Sequence, residues 1–126
     1  MRRVVITGLG MVSPVGNNVS DSWMKALEGQ SGIDKITAFD ACNIDVKIAA
    51  EVKGYNPLDS ISPRDVRKIA RFSQFSISAT KEALQDSQLP EDRDSKRWGC
   101  SIGVGIGDLT NIFNTTVAFK EMGQKK

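Results

Sequence analysis

The sequence predicts an α/β fold built in layers, and three stretches carry that expectation. Val4-Val5-Ile6 is an uninterrupted β-branched run of the kind a parallel sheet covers on both faces. Trp98, Cys100, Ile102, Val104 and Ile106 alternate with Gly or Ser, the period of a second strand with one apolar face. Between them, Val66, Ile69, Ala70, Phe72, Phe75, Ser76, Ala79 and Ala83 recur at spacings of three and four, a helical stripe fit to pack on a sheet. Strands alternating with helices in this way are the pattern of a layered α/β domain.

Taken in order, the opening strand ends at Gly8 and Gly10, which permit a sharp turn or a close approach, and Pro14, Gly16, Asn17 and Asn18 prolong the break into a wide loop. A short helix follows, with Ser20 as its cap, Gly29 past its end, and Trp23, Ala26 and Leu27 on an inner face. Residues 30–47 lack periodicity and read as loop, with a turn near Phe39-Asp40, and 48–52 reads as a short strand stopped by Gly54, Asn56 and Pro57. Ser62-Pro63-Arg64-Asp65 is the clearest helix start in the chain: a capping serine, a proline at the first helical position and an acid that can complete a capping box. The helical region beyond it runs towards Pro90, as one helix or as two with a bend at Arg71-Phe72. Its small residues Ser76, Ala79 and Ala83 complement the Gly and Ser face of strand 97–106. Asp108 caps a last helix, and Gly123 closes it.

Composition excludes several classes. One hundred and twenty-six residues, 40% hydrophobic and 25% charged, suit a single soluble domain. Seventeen Lys and Arg against 15 Asp and Glu leave a net charge of +2, too small to argue for nucleic acid. No apolar run approaches the roughly 18 residues of a membrane span. Thr7, Gly8 and Gly10 interrupt the apolar run after Arg2-Arg3 that would otherwise imitate a signal peptide, so the expected location is cytoplasmic, or organellar after processing. There is no histidine, which removes the commonest general base, the usual partner of a catalytic cysteine and the ordinary zinc sets.

Most candidate sites resolve to structure. Gly8-Leu9-Gly10 begins like a dinucleotide fingerprint, but the third glycine would fall at Ser13 and Pro14 follows, so a nucleotide-binding module is a distant alternative. Gly103, Gly105 and Gly107 have neither that spacing nor a P-loop lysine after them. Cys100 alternates with apolar neighbours and reads as a structural thiol, while Asp40 and Asp45 near Cys42 raise rather than lower a thiol pKa. Glu82, Asp86, Glu91, Asp92 and Asp94 read as solvated surface. The exception is Arg64, Arg67, Lys68 and Arg71, whose spacing concentrates four cations beside Asp65 on one helix face, a surface for a phosphate or an acidic protein helix. Lys125-Lys126 extends that patch or is a tail.

With those residues placed, the chain resembles the N-terminal part of a β-ketoacyl-acyl carrier protein synthase of the type II elongating class. The resemblance rests on 3–16, on Trp23-Met24-Lys25-Ala26-Leu27-Glu28-Gly29-Gln30-Ser31-Gly32-Ile33, on Phe39-Asp40 and on 101–107, and it runs through the whole of 1–126. It implies a thiolase-like layered fold of which this chain is the incomplete N-terminal half, ending before the nucleophile. It implies a homodimer and a decarboxylative Claisen condensation with malonyl-acyl carrier protein. A cysteine, two histidines and a lysine serve that chemistry in the family, because a thioester needs an activated thiolate and an enolate needs fixed donors.

None of those groups matches a position here, so no catalytic role falls on these residues and no metal or bound cofactor is expected beyond the carrier's own phosphopantetheine. One role does carry over: by resemblance Arg64, Arg67, Lys68, Lys125 and Lys126 receive the acidic acyl carrier protein. Asp108 departs from the family, which often has glycine there. The chain alone is expected to be inactive, and to associate or dissolve poorly unless the rest of the scaffold covers its apolar faces. A non-catalytic product that at most binds carrier protein is the alternative reading.

Overall fold

The structure, a computed structural model, describes residues 3–90, 92 and 94–123. The Pro14-Val15 turn starts the regular part of the chain. Ser13 and Gly16 exchange two backbone hydrogen bonds at 2.8 and 3.2 Å, and the Ser13 Oγ also accepts the Val15 and Gly16 N–H groups. The expected wide loop is therefore a tight turn, because proline presets one of its dihedrals and a serine side chain pairs its amides.

Helix α1 (Val19–Leu27) opens at once, capped by Asn18 rather than Ser20: the Asn18 side chain accepts the Asp21 N–H at 2.7 Å. Gly29 takes φ +69° past its end. Ser22 of α1, 4% exposed, turns in to donate to the Gly16 carbonyl at 3.1 Å and lies 3.0 Å from the Ser13 hydroxyl, so the turn and the helix are tied by hydroxyls.

The stretch read as loop contains a strand. β1 (Ile33–Lys35) pairs antiparallel with β2 (Ile48–Ala50) in the register Ile33 to Ala50 and Lys35 to Ile48. Three residues are too few to show a period, so the pairing was invisible in 33–35 itself. Past β2, Lys53 reaches Asp34 at 2.6 Å, and the Glu51 carboxylate accepts the Thr37 and Ala38 N–H groups and the Thr37 hydroxyl, which holds the far side of the connection.

A 3-10 turn at Pro57–Asp59 leads to α2 (Pro63–Val66), where Ser62 accepts the Asp65 N–H at 3.2 Å. The reciprocal contact differs from a full capping box, since the Ser62 hydroxyl donates to Asp65 Oδ2 at 2.8 Å. The helical region is two helices: α2 stops after one turn, and α3 (Arg71–Asp86) begins after the extended residue Ala70. Gln74 spans the break, its Nε2 donating to the Val66 carbonyl at 3.2 Å and the Ile69 carbonyl at 3.1 Å. Those are carbonyls that a helix end leaves without partners.

Helix α3 anchors the start of the chain. A Cβ on Gly10 would overlap the Ala79 carbonyl oxygen and one on Gly8 the Ala83 carbonyl oxygen, so only glycine admits this approach. Carboxylates complete the dock: Asp86 accepts Leu9 N–H at 2.9 Å, and Glu82 accepts Met11 N–H at 2.9 Å and Val19 N–H at 2.8 Å. Two expectations are corrected here. Glu82 and Asp86 are backbone acceptors rather than idle surface charges, and the small residues of α3 meet Gly8 and Gly10 rather than the 97–106 stretch. A Cβ on Gly99, Gly103 or Gly105 would meet nothing within 4 Å.

Neither the 4–6 run nor the 97–106 stretch is a strand. Among the described residues the only ladder is β1 with β2; Ser95–Arg97 is a 3-10 turn, and no ladder bonds form on either side of 98–106. A parallel strand exists only through neighbours, and without them its side chains stay in water: Val4 is 92% exposed and Ile106 70%. Cys100, expected on a covered apolar face, is exposed for the same reason. So are Trp23 and Leu27 on the expected inner face of α1; Leu9, Met11, Val15, Val19, Trp23 and Ala26 instead line an open apolar groove of about 690 Å³.

Helix α4 (Leu109–Met122) is capped as expected by Asp108, which accepts the Asn111 N–H at 3.1 Å, and Gly123 closes it at φ +68°. Its apolar side chains Leu109, Ile112, Phe113 and Phe119 are exposed. The residues that are truly buried among those described are Ile61 and Ser22, so what these elements share is a framework of caps, turns and close glycine contacts more than a hydrophobic core.

Candidate functional site

Arg64, Arg67 and Lys68 occupy a turn whose shape is fixed at both ends. Ser62 and Pro63 set its start, Lys68 N–H closes on the Asp65 carbonyl at 2.8 Å, and Gln74 holds the carbonyls of Val66 and Ile69 behind it. All three cations are exposed, and among the described residues the one ion pair is Lys53 with Asp34, far along the chain from them. Three unpaired cations within five positions make a concentrated positive surface.

Arg71 leaves that group. The α2 to α3 break turns it towards Val52, where its Nη2 donates to the Val52 carbonyl at 3.2 Å and its guanidinium lies 5.2 Å from the Phe75 ring centre. Phe75 meets Tyr55 edge to face at 4.9 Å, and the Tyr55 hydroxyl lies 2.8 Å from the Ser78 hydroxyl. A helical spacing of three and four puts Arg71 with the others only if the helix is continuous, and it is not. Lys125 and Lys126 lie outside the described residues.

The cationic turn also borders a polar cleft of about 280 Å³, closed on its other side by the start of α4. Arg67, Lys68, Ile69 and Ala70 line one wall and Asp108, Thr110, Asn111 and Asn114 the other. Thr110, Asn111 and Asn114 were not singled out in the sequence, where neutral polar residues on an amphipathic helix carry no signal of their own.

The Cys42 thiol is not activated as a nucleophile. Cys42 is exposed, and the Asp40 carboxylate hydrogen-bonded to it pushes its thiol up, away from the thiolate; the same contact draws Asp40 down. Among the described residues no cluster of His, Cys, Asp and Glu could hold a metal ion. The glycine segment does not offer amides to a phosphate either, since those of Leu9, Met11 and Val19 already donate to Asp86 and Glu82, whose charge would repel one.

The site is thus an exposed cationic turn beside a polar cleft. The family model described as beta-ketoacyl synthase, N-terminal domain, matches residues 1–126. The chain belongs to the beta-ketoacyl synthase family. It is 45% identical over 126 residues to 3-oxoacyl-[acyl-carrier-protein] synthase 2 of Vibrio harveyi, a match covering 99% of this chain and 30% of that one. It is 42% identical over 125 residues to the protein of the same name from Staphylococcus aureus strain N315, covering 98% and 30%. Among solved structures, the ishigamide ketosynthase/chain length factor superposes with a TM-score of 0.66 at 33% identity over 72% of this chain and 23% of that one.

The chain spans about 30% of the length of the curated relatives it matches, and the family model it matches is that of the N-terminal domain. Its helices and small sheet are a partial thiolase-like α/β fold. No described helix is long and apolar enough to cross a membrane.

Proposed function

We propose that this chain is the N-terminal portion of a 3-oxoacyl-acyl carrier protein synthase, which lengthens fatty acyl chains by decarboxylative Claisen condensation with malonyl-acyl carrier protein in the cytoplasm. Its residues serve as scaffold and as docking surface. The observation that carries this reading is the exposed, unpaired set Arg64, Arg67 and Lys68 on a turn braced by Ser62 and Gln74. A carrier protein is acidic, and a fixed positive patch both steers it to the surface and orients it there. Lys125 and Lys126 belong to the same proposed surface.

The chemistry falls to groups outside these residues. There is no histidine, and Cys42 carries a raised rather than lowered pKa, so the usual base and an activated thiolate at Cys42 are both missing. The uncovered faces fit this division: the groove beside Trp23, the 98–106 stretch and the apolar side of α4 are where further strands and helices of the scaffold, and a second subunit, would pack. The polypeptide that carries this segment together with such a remainder should convert acyl- and malonyl-acyl carrier protein to 3-oxoacyl-acyl carrier protein with release of CO₂. The 126 residues alone should release none. Turnover by the 126 residues, or none by the larger polypeptide, would refute the assignment.

A further inference from the structure

We propose that the cleft between Lys68 and Asn114 receives an acidic side chain from a helix of the carrier protein, making the start of α4 a second arm of the docking surface. This rests on the carrier-binding reading above. The cleft is open and about 280 Å³, room for a carboxylate with a few waters.

Its wall chemistry is that of an anion site. Arg67 and Lys68 supply charge, and α4 supplies neutral donors opposite them. The Asn111 carbonyl oxygen accepts the Thr115 hydroxyl at 3.4 Å, which leaves its NH₂ as the free group, and the Asn114 side chain makes no hydrogen bond among the described residues. Asp108 also faces the cleft, but it is committed to the Asn111 N–H as the helix cap. Two cations and one carboxylate leave a single uncompensated positive charge, which one further carboxylate neutralises. A phosphate would add more charge than the walls balance.

The test is titration of the larger polypeptide that carries this segment with apo-acyl carrier protein, which lacks the phosphopantetheine arm, at low and moderate salt. Asn114→Asp should weaken binding by about fivefold and Asn114→Lys should strengthen it by a similar factor, with Arg67→Glu weakening it further. Because Asn114→Lys must gain affinity, a variant that merely misfolds cannot imitate the result. If both Asn114 variants stay within about twofold of wild type while Arg67→Glu weakens binding, the α4 arm is wrong and the carrier reading stands. If Arg67→Glu is also without effect, both fall. If the Asn114 variants act only on carrier bearing its phosphopantetheine, the occupant is that arm and the assignment to an acidic helix is overturned.

Discussion

Glu82 and Met11 are 71 positions apart, and the Glu82 carboxylate accepts the Met11 backbone N–H at 2.9 Å. Its other oxygen takes the Val19 N–H at 2.8 Å, so one side chain of α3 fixes both the glycine segment and the first turn of α1. Glu82→Ala strands two donors and should cost about 1–2 kcal/mol, with faster amide exchange at Met11 and Val19. Glu82→Gln keeps one acceptor and should lose protection at only one of the two amides. Unchanged exchange in both variants would show that the dock does not depend on Glu82.

Gly10 and Ala79 form the closest part of the same dock. Gly10→Ala puts a methyl into the Ala79 carbonyl and should destabilise the fold by about 2–3 kcal/mol, read as a lower denaturation midpoint. Gly103→Ala, in open space, is the control and should leave the midpoint within experimental error.

These contacts mark how far the sequence could be read. The caps at Ser62 and Asp108 and the helix end at Gly123 were legible because each is decided within four residues. The small-residue face of α3 was legible as a packing surface, but its partner was not, since glycines at 8 and 10 and at 103 and 105 offer the same absence of side chain. Glu82 and Asp86 look like solvated acids because nothing local announces amides more than 60 residues away. The two expected strands, 4–6 and 97–106, have the right side chains, yet pairing belongs to the partner as much as to the strand. At the candidate site, Arg64, Arg67 and Lys68 were found from charge and spacing. Arg71 was misplaced because spacing assumes an unbroken helix; the sequence left open one helix or two, and the extended Ala70 with the bonds of Gln74 decides for two.

Gln74→Leu removes the amide that bridges the carbonyls of Val66 and Ile69. It should destabilise the 67–70 turn by about 1 kcal/mol and loosen Arg67 and Lys68, seen as weaker carrier binding with every cation still present. Undiminished binding would show that the patch acts as bare charge, independent of its geometry.

Glu51 gives a pH signature. The Thr37 hydroxyl first, then the Ala38 and Thr37 N–H groups, hold its carboxyl below the usual carboxylate range. A depressed pKa means that the contact contributes fully above the unfolded value of about 4.3 and is lost as pH falls through the folded one. Order in the β1 to β2 connection should therefore fall away in acid. Thr37→Val removes the largest cause and should raise the Glu51 midpoint in a carboxyl NMR titration; an unmoved midpoint contradicts that contact.

The central claim is that this segment presents a carrier-docking surface, and the most direct measurement is the salt dependence of acyl carrier protein binding to wild type and to Arg67→Glu. Wild type should bind more weakly as salt rises, and Arg67→Glu should bind about tenfold more weakly at low salt with a flatter dependence. Equal affinities and equal salt slopes for the two proteins would contradict it.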